Sequence, residues 1–311
     1  MKAILYRKFG GPEGLEYTDV SDPKPGSHEV VIRIRAAGVN PVDWKLHRGK
    51  LPGAFLFRLK LPFVPGAEAA GIVEEVGSQV KELAPGDEVV AFHSALQGGA
   101  YAEKMLTSVD NCQKKPAGIS FEESASAPLA ALTAYQLMKG LQTSGKRLLV
   151  LGASGGVGHF GVQIGKLLGA DVTGVASARN QEFLKKLGCE AALAYDDPNF
   201  SESLEAYDVV LDAAASRSPA ELAPHMNKGA SYLNTLPSPA HWMQCKFRGF
   251  GYRGAMVRSS PEDMATLMGW LEKGEVRPVV EKTFPLEQTA EAHRLSETGH
   301  ARGKIVLVVS S

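Results

Sequence analysis

One stretch constrains this chain more than any other: Arg147-Leu148-Leu149-Val150-Leu151-Gly152-Ala153-Ser154-Gly155-Gly156-Val157-Gly158. An apolar strand-like run enters a glycine-rich turn. Helical spacing then continues to Leu168, where Gly169 stops it. Strand, glycine turn and helix in that order are the setting in which a dinucleotide fingerprint has physical meaning. One glycine lets the backbone approach a pyrophosphate, and another lets the helix pack closely on its strand. The helix N-terminus offers unpaired N–H groups and a partial positive charge to phosphate. The candidate cofactor contacts are Ala153, Ser154, Gly155, Gly156, Val157 and Gly158. The first glycine of the usual G-x-G-x-x-G is Ala153 here, so the match is incomplete, and a tight turn with no ligand is the competing reading.

Strand and helix alternate around this turn. Asp171-Val172-Thr173-Gly174-Val175-Ala176 reads as a strand, 181–187 as a helix stopped by Gly188, and 206–212 as another strand. That alternation predicts parallel βαβ units in a doubly wound α/β sheet. Up to about Lys115 the texture is different. Short strands at 30–34, 70–76 and 88–92 are separated by turn signals such as Gly77-Ser78 and Pro85-Gly86-Asp87, which predicts a compact, irregular β domain. Residues 122–140 read as an Ala/Leu-rich helix. The βα pattern breaks near Arg258, a helix follows over 261–273, and the chain closes on a strand at 304–308 whose texture matches the first domain. The expectation is a β-rich domain over 1–120 completed by 259–311, and a nucleotide-binding domain over 121–258.

Composition removes several function classes. Thirty-four Lys and Arg balance 34 Asp and Glu, so no electrostatic footprint for nucleic acid is present. The N-terminus opens on strand-like Met1-Lys2-Ala3-Ile4-Leu5-Tyr6 rather than a secretory leader, and no run reaches the ~18 apolar residues of a membrane span. The three cysteines, Cys112, Cys189 and Cys245, are far apart and odd in number, which points to the reducing cytoplasm rather than a disulfide framework.

The second strand of the nucleotide-binding unit chooses the cofactor. NAD-binding folds usually end this strand on an acid that holds the ribose 2′-hydroxyl. Here the strand ends at Ala176, followed by Ser177-Ala178-Arg179-Asn180. No carboxylate repels a 2′-phosphate, Ser177 can donate a hydrogen bond and Arg179 can form a charge-assisted pair, so NADPH is expected over NADH. The alternative leaves Arg179 at a solvated helix start with no ligand.

Four segments together resemble the medium-chain dehydrogenase/reductase superfamily, in its zinc-free quinone oxidoreductase-like branch. They are Gly38-Val39-Asn40-Pro41-Val42-Asp43-Trp44-Lys45, Val64-Pro65-Gly66-Ala67-Glu68-Ala69-Ala70-Gly71, Pro128-Leu129-Ala130-Ala131-Leu132-Thr133-Ala134-Tyr135 and the glycine turn. The likeness is strongest to the chloroplast-envelope quinone oxidoreductase homologues and covers almost the whole chain. It implies a GroES-like catalytic domain, a Rossmann domain and a return to the first. It also implies an enzyme that passes hydride from NADPH to a quinone or an α,β-unsaturated carbonyl. Zinc-dependent members carry cysteine and histidine where this chain has Asn40 and Ala67, and no cysteine lies around Leu129, so neither catalytic nor structural zinc is expected.

By position, the resemblance places Asn40 and Asp43 in the cleft near the nicotinamide and Thr133 against the carboxamide. It places Tyr195 beside the 2′-phosphate and Asn234-Thr235-Leu236 along the nicotinamide ribose, with Lys304 reaching back to the cofactor. The lysine many relatives use for the 2′-phosphate is Asn180 here. Plainer readings stay open: Asp43 as a helix cap, Asn40 as a turn residue before Pro41, and Tyr195 as packing. His47, His93 and His159 form no metal set or triad and read as structural. Residues 45–52 contain no tyrosine, so no general acid stands out and an acyl-thioester reductase is disfavoured. The apolar stretch 55–61 reads as core, with an apolar acceptor or a membrane surface as alternatives. Two further alternatives remain, an enone reductase with little quinone activity and an NADPH-binding protein without catalysis. A homodimer is the default assembly.

Overall fold

The computed structural model describes residues 1–51 and 61–310, so the apolar stretch noted above, apart from Leu61, lies outside the described residues. The chain divides into two compact units, Met1–Leu129 with Arg258–Ser311, and Ala130–Val257.

The first unit is built on β3 (Glu29–Val39), whose Val30, Ile32 and Ile34 are buried while Arg33 is exposed. Strand β3 pairs antiparallel with β4 (Glu68–Val76), β6 (Lys104–Ser108) and β15 (Lys304–Val308). Adding β5 (Glu88–Phe92), β7 (Cys112–Lys114) and β14 (Val280–Pro285) gives a seven-stranded sheet. The C-terminal strand therefore returns to the first sheet. Strands β1 (Lys2–Leu5) and β2 (Glu16–Asp19) form a separate antiparallel pair. Side chains alternating along β3, β5 and β15, among them Ile32, Val89, Ala91, Ile305 and Leu307, share one apolar core with Ile4, Tyr101 and Met105. Helix α1 (Pro41–His47) follows β3 directly and starts on a proline, whose missing N–H costs nothing at that position. Helix α2 (Phe121–Ser126) is capped by a reciprocal Ser120–Glu123 box. The single helix expected over 122–140 is broken there: α3 (Pro128–Met138) starts at Pro128, which has no N–H to continue the ladder. Helices α9 (Pro261–Lys273) and α10 (Thr289–Glu297) complete the unit.

The second unit is the doubly wound α/β layer. Its strands are β8 (Arg147–Leu151), β9 (Asp171–Ala176), β10 (Ala191–Ala194), β11 (Tyr207–Asp212), β12 (Met226–Asn234) and β13 (Gly251–Gly254). They lie in the order β10-β9-β8-β11-β12-β13 and all run parallel. Helix α4 (Gly156–Leu167) follows β8, and α5 (Gln181–Leu187) follows β9 and ends at left-handed Gly188. Short helices α6 (Phe200–Ser203) and α7 (Pro219–Leu222) precede α8 (Pro239–Arg248). The winding reverses between β8 and β11. In a sheet of this type, the crevice outside the carboxyl ends at the reversal is where ligands bind.

Candidate functional site

Each unit carries one polar constellation. In the second, the glycine turn sits at the carboxyl end of β8, on one lip of the reversal crevice. A Cβ at Gly158 would stand 2.0 Å from the Gly152 carbonyl oxygen, so the first turn of α4 can fold onto the loop only with glycine there. Gly155 is the N-cap of α4, and no side chain caps it. The N-terminal N–H groups of a twelve-residue helix therefore lack a side-chain acceptor at the cap, as a phosphate site requires. The other lip is the loop after β11. Buried Asp212 accepts N–H bonds from Ser216 (2.9 Å) and Arg217 (3.0 Å) and the Tyr232 hydroxyl (3.0 Å). Within that loop Ala215 takes a left-handed φ of 50°, strained for a residue with a Cβ.

The end of β9 is tied to the turn by Asn180. Its amide Nδ2 donates to Ser177 Oγ (3.1 Å) and Ser154 Oγ (3.3 Å), joining two of the candidate cofactor contacts. Asn180, where the resemblance implies a lysine, thus ties the glycine turn to the end of β9. Arg179 is exposed beside it. Tyr195 follows β10, half exposed, and its N–H donates to the Ala176 carbonyl, so it stands next to Ser177. Asp196 accepts the Ala178 N–H at 2.8 Å, which brings a carboxylate to this bank from across the strand pair. Asn234 is buried, and its amide is held by Tyr232, His241 and the Leu236 N–H; Leu236 itself is exposed. Thr133 lies buried on α3 in the same unit.

The first unit holds a different kind of site. Asn40, Asp43, Glu68, Tyr101 and Lys304 come from four separate segments, Asn40 and Asp43 sharing the start of α1, and are all almost fully buried. Asn40 Nδ2 donates to Glu68 Oε1 (2.8 Å), Lys304 Nζ donates to Asn40 Oδ1, and Lys304 also pairs with Glu68 Oε1 (3.1 Å). The other oxygen of Glu68 accepts the Leu129 N–H at 2.6 Å, at the start of α3. A Cβ at Gly38 would stand 2.2 Å from Glu68 Oε1, so this glycine of β3 makes room for the carboxylate. Asp43 Oδ2 accepts the Asn40 backbone N–H (2.8 Å) and the Tyr101 hydroxyl (2.7 Å). The capping reading of Asp43 therefore holds, in a side chain that is also buried among charged groups. Burial pushes the Asp43 carboxyl up to about 7, against the lowering pull of its two donors. Burial also drives the Tyr101 hydroxyl well above the usual phenol range.

The structure thus brings Asn40, Asp43 and Lys304 together, and separately gathers the glycine turn, Ser177, Arg179 and Tyr195. Sequence reasoning passed over Glu68 and Tyr101. A single acid inside Ala67-Glu68-Ala69-Ala70 was the available signal, because a lone carboxylate in an apolar strand must find partners. Tyr101 gave no comparable sign.

Three comparisons complete the description. The families described as "Alcohol dehydrogenase GroES-like domain" and "Zinc-binding dehydrogenase" match residues 26–117 and 187–307. The residues present do not fit a zinc: Asn40 is an amide already held between Glu68 and an ammonium, and Ala67 is a buried methyl. Among the described residues, no three His, Cys, Asp or Glu side chains are gathered as ligands, and no helix is long and apolar enough to cross a membrane. The chain is 35% identical to the chloroplast envelope quinone oxidoreductase homolog of Arabidopsis thaliana over 99% of its own length and 98% of that protein. It is 34% identical to the NADPH-dependent alkenal/one oxidoreductase, chloroplastic, of the same plant, over 99% of this chain and 79% of that one. The quinone oxidoreductase from Coxiella burnetii superposes with a TM-score of 0.93 at 29% identity, covering 100% of this chain and 99% of the other. Fold, glycine turn and these likenesses agree, and the chain belongs to the medium-chain dehydrogenase/reductase superfamily as an oxidoreductase among the quinone oxidoreductase homologues.

Proposed function

We propose that the protein is an NADPH-dependent, zinc-independent reductase of quinones or α,β-unsaturated carbonyls. The observation that carries this reading is the glycine turn at the sheet reversal: it is shaped by a position that only glycine can fill and carries a helix N-terminus with no side-chain cap. Residues 153–158 would hold the pyrophosphate, and Ser177, Arg179 and Tyr195 the 2′-phosphate. When bound, the dinucleotide supplies the hydride. The protein's part is to orient the reactants and stabilise the negative charge that builds on the acceptor oxygen. Asn40 and Asp43 shape that environment through the buried cluster, and Thr133 is assigned to positioning. A quinone is a strong electrophile and a modest donor suffices for it, whereas an enone draws more on the protein for its proton. The chloroplast alkenal/one oxidoreductase supports the enone as a second acceptor class. We further assign a homodimer and a reducing compartment, the latter suiting three free, buried cysteines.

The test is a fluorescence titration with NADPH and NADH. The NADPH complex is then mixed with a benzoquinone, a naphthoquinone, a short enal and a long-chain enone. Oxidation by one class names the acceptor. Tight binding with no oxidation by any of them would replace the reductase reading with a non-catalytic one. Arg179→Ala should weaken NADPH by about tenfold, roughly the worth of one charge-assisted bond, and leave NADH nearly unchanged. Equal loss of both would remove Arg179 from the 2′-phosphate site.

A further inference from the structure

Among the buried side-chain atoms of the described residues that have no hydrogen-bond partner, four belong to one neighbourhood of the first unit: Asp43 Oδ1, His47 Nε2, and His293 Nδ1 and Nε2. Protein interiors usually satisfy buried polar groups, with ordered water where no protein group serves. The side chains around these atoms are continuous. The Tyr101 hydroxyl donates to Asp43, and the Tyr101 ring meets the His293 ring edge-on at 5.8 Å. The His47 ring lies 4.4 Å from Tyr6, and the helices that carry His47 and His293 are joined by the Trp44 indole N–H donating to Ser296 Oγ (3.1 Å) and by the Arg48–Glu297 ion pair (2.7 Å). Tyr6, Asp43, His47, Tyr101 and His293 are each no more than 1% exposed. At the outer end, a Cβ at Gly14 would stand 3.4 Å from His47 Nε2, and Gly14 is only half-buried, next to exposed Glu13.

We propose that ordered water joins these four atoms into a proton path. It runs from a mouth at Gly14 through His47 and His293 to Asp43, and Asp43 is the proton store for the reduction. The chemistry of the groups suits a path. Asp43 Oδ2 accepts two donors while Oδ1 has none, so Oδ1 is the atom that carries the proton. Glu68 and Lys304 already cancel each other, and an ionised Asp43 would add an uncompensated buried charge. Burial pushes His293 down to about 3 and lowers His47, so both rings are neutral near pH 7, the form that donates from one nitrogen and accepts at the other. Among the described residues, the other charged groups facing the path are Glu13, Arg48 and Glu297 around His47, with Arg48 and Glu297 paired to each other at 2.7 Å.

The role in turnover rests on the reductase reading above; the path itself does not. Reduction adds one hydride and one proton to the acceptor. The Asp43 O–H bond breaks as its proton leaves toward the reduced acceptor, and a proton entering from water at His47 restores it. No oxidant or reductant beyond the dinucleotide is consumed.

The test follows the infrared C=O band of the protonated carboxyl, assigned by its loss in Asp43→Asn, after the apo protein is mixed into deuterium oxide. His293→Leu, and separately Gly14→Val at the mouth, should slow exchange of that band by about tenfold or more, because a severed path leaves only local opening of the core. His293→Gln and Gly14→Ala serve if the larger changes prevent folding. Gly14→Val should leave the Kd for NADPH unchanged. No band lost in Asp43→Asn, or wild-type exchange rates in both path variants, would overturn the proposal. Slowed exchange in a protein that reduces none of the acceptors would keep the path and remove its role in turnover.

Discussion

The two polar regions are built on opposite plans. The glycine turn of the second unit is a site made by what is missing: no Cβ at Gly158 and no side-chain cap on α4. The cluster of the first unit is a site made of side chains, in which Glu68, Lys304 and Asn40 satisfy one another away from water. An open helix N-terminus is completed by a ligand from outside. The Glu68–Lys304–Asn40 set is satisfied from within the protein and acts by fixing geometry and charge. Damage to the first should therefore appear in cofactor affinity, and damage to the second in stability and pH dependence.

The largest effect is expected from Lys304→Met. Glu68 would keep its bonds to Asn40 and Leu129 but lose the one cation paired with it among the described residues, and breaking a buried pair by removing one partner costs roughly 3–5 kcal/mol. Urea unfolding measures the loss, and the double variant Lys304→Met/Glu68→Gln should recover most of it. An NADPH Kd unchanged in Lys304→Met would keep the lysine within the cluster. A weakened Kd would instead support its reaching the cofactor, and would blur the contrast between the two regions.

Asp43 tests the same region through pH. Its folded-state pKa, near 7, lies above the ordinary carboxylate value of ~4, so between these values the folded protein holds a proton that the unfolded chain has released. The stabilisation is complete below about pH 4 and falls as pH rises toward 7, by roughly 1.4 kcal/mol per pH unit. His293 works the other way, because its lowered pKa makes stability rise with pH up to about 6.5. The wild-type curve mixes both slopes, so the informative quantity is the difference from Asp43→Asn. That variant should lack the downward component and be relatively less handicapped as pH rises from 5 to 7. Parallel unfolding curves for the two proteins would mean that Asp43 is ionised in the folded state.

In the other region, Gly158→Val should raise the Kd for NADPH by about 10- to 100-fold, the equivalent of the roughly 1–3 kcal/mol that overpacking costs. The contact at stake is backbone, the Gly152 carbonyl, which cannot swing aside as a side chain can. A variant that loses as much stability as Lys304→Met while binding NADPH normally would break the comparison outright.

The same difference decides what could be read from sequence. The turn is local: strand, glycines and helix are contiguous, so eight residues announce the site, and the alternation around them announces the sheet. The buried cluster is assembled from positions 40, 43, 68, 101 and 304, which the pairing of β15 with β3, of β3 with β4, and of the Tyr101 N–H with the Pro65 carbonyl brings together. Asn40, Asp43 and Lys304 were named through likeness to a family, without their partners, because nothing local to Asn40 says that an ammonium lies against its amide. The break at Pro128 was legible in principle, since proline marks it, but the Ala/Leu spacing on either side hid it. Asp196 was missed for the same reason as Glu68: its partner, the Ala178 N–H, lies across a strand pair.

Asp196 also supplies the smallest and most discriminating effect. Its carboxylate clamps the Ala178 N–H between Ser177 and Arg179, the two residues assigned to the 2′-phosphate. On that assignment one interaction does two things of opposite sign for NADPH: it orders the loop assigned to the phosphate, and it brings a negative charge to the same bank. Asp196→Asn keeps an oxygen acceptor for the N–H and removes the charge. The site is exposed, so screening limits the gain to about 0.2–1 kcal/mol, a factor of roughly 1.5 to 5 tighter for NADPH at low salt, shrinking as salt is added. NADH, which lacks the phosphate, should not respond. If both dinucleotides weaken together, Asp196 acts only as a clamp and loop order outweighs charge. If NADPH alone tightens, the open region carries a restraint on its own selectivity, and the preference set by Arg179 is a balance between two side chains of opposite charge.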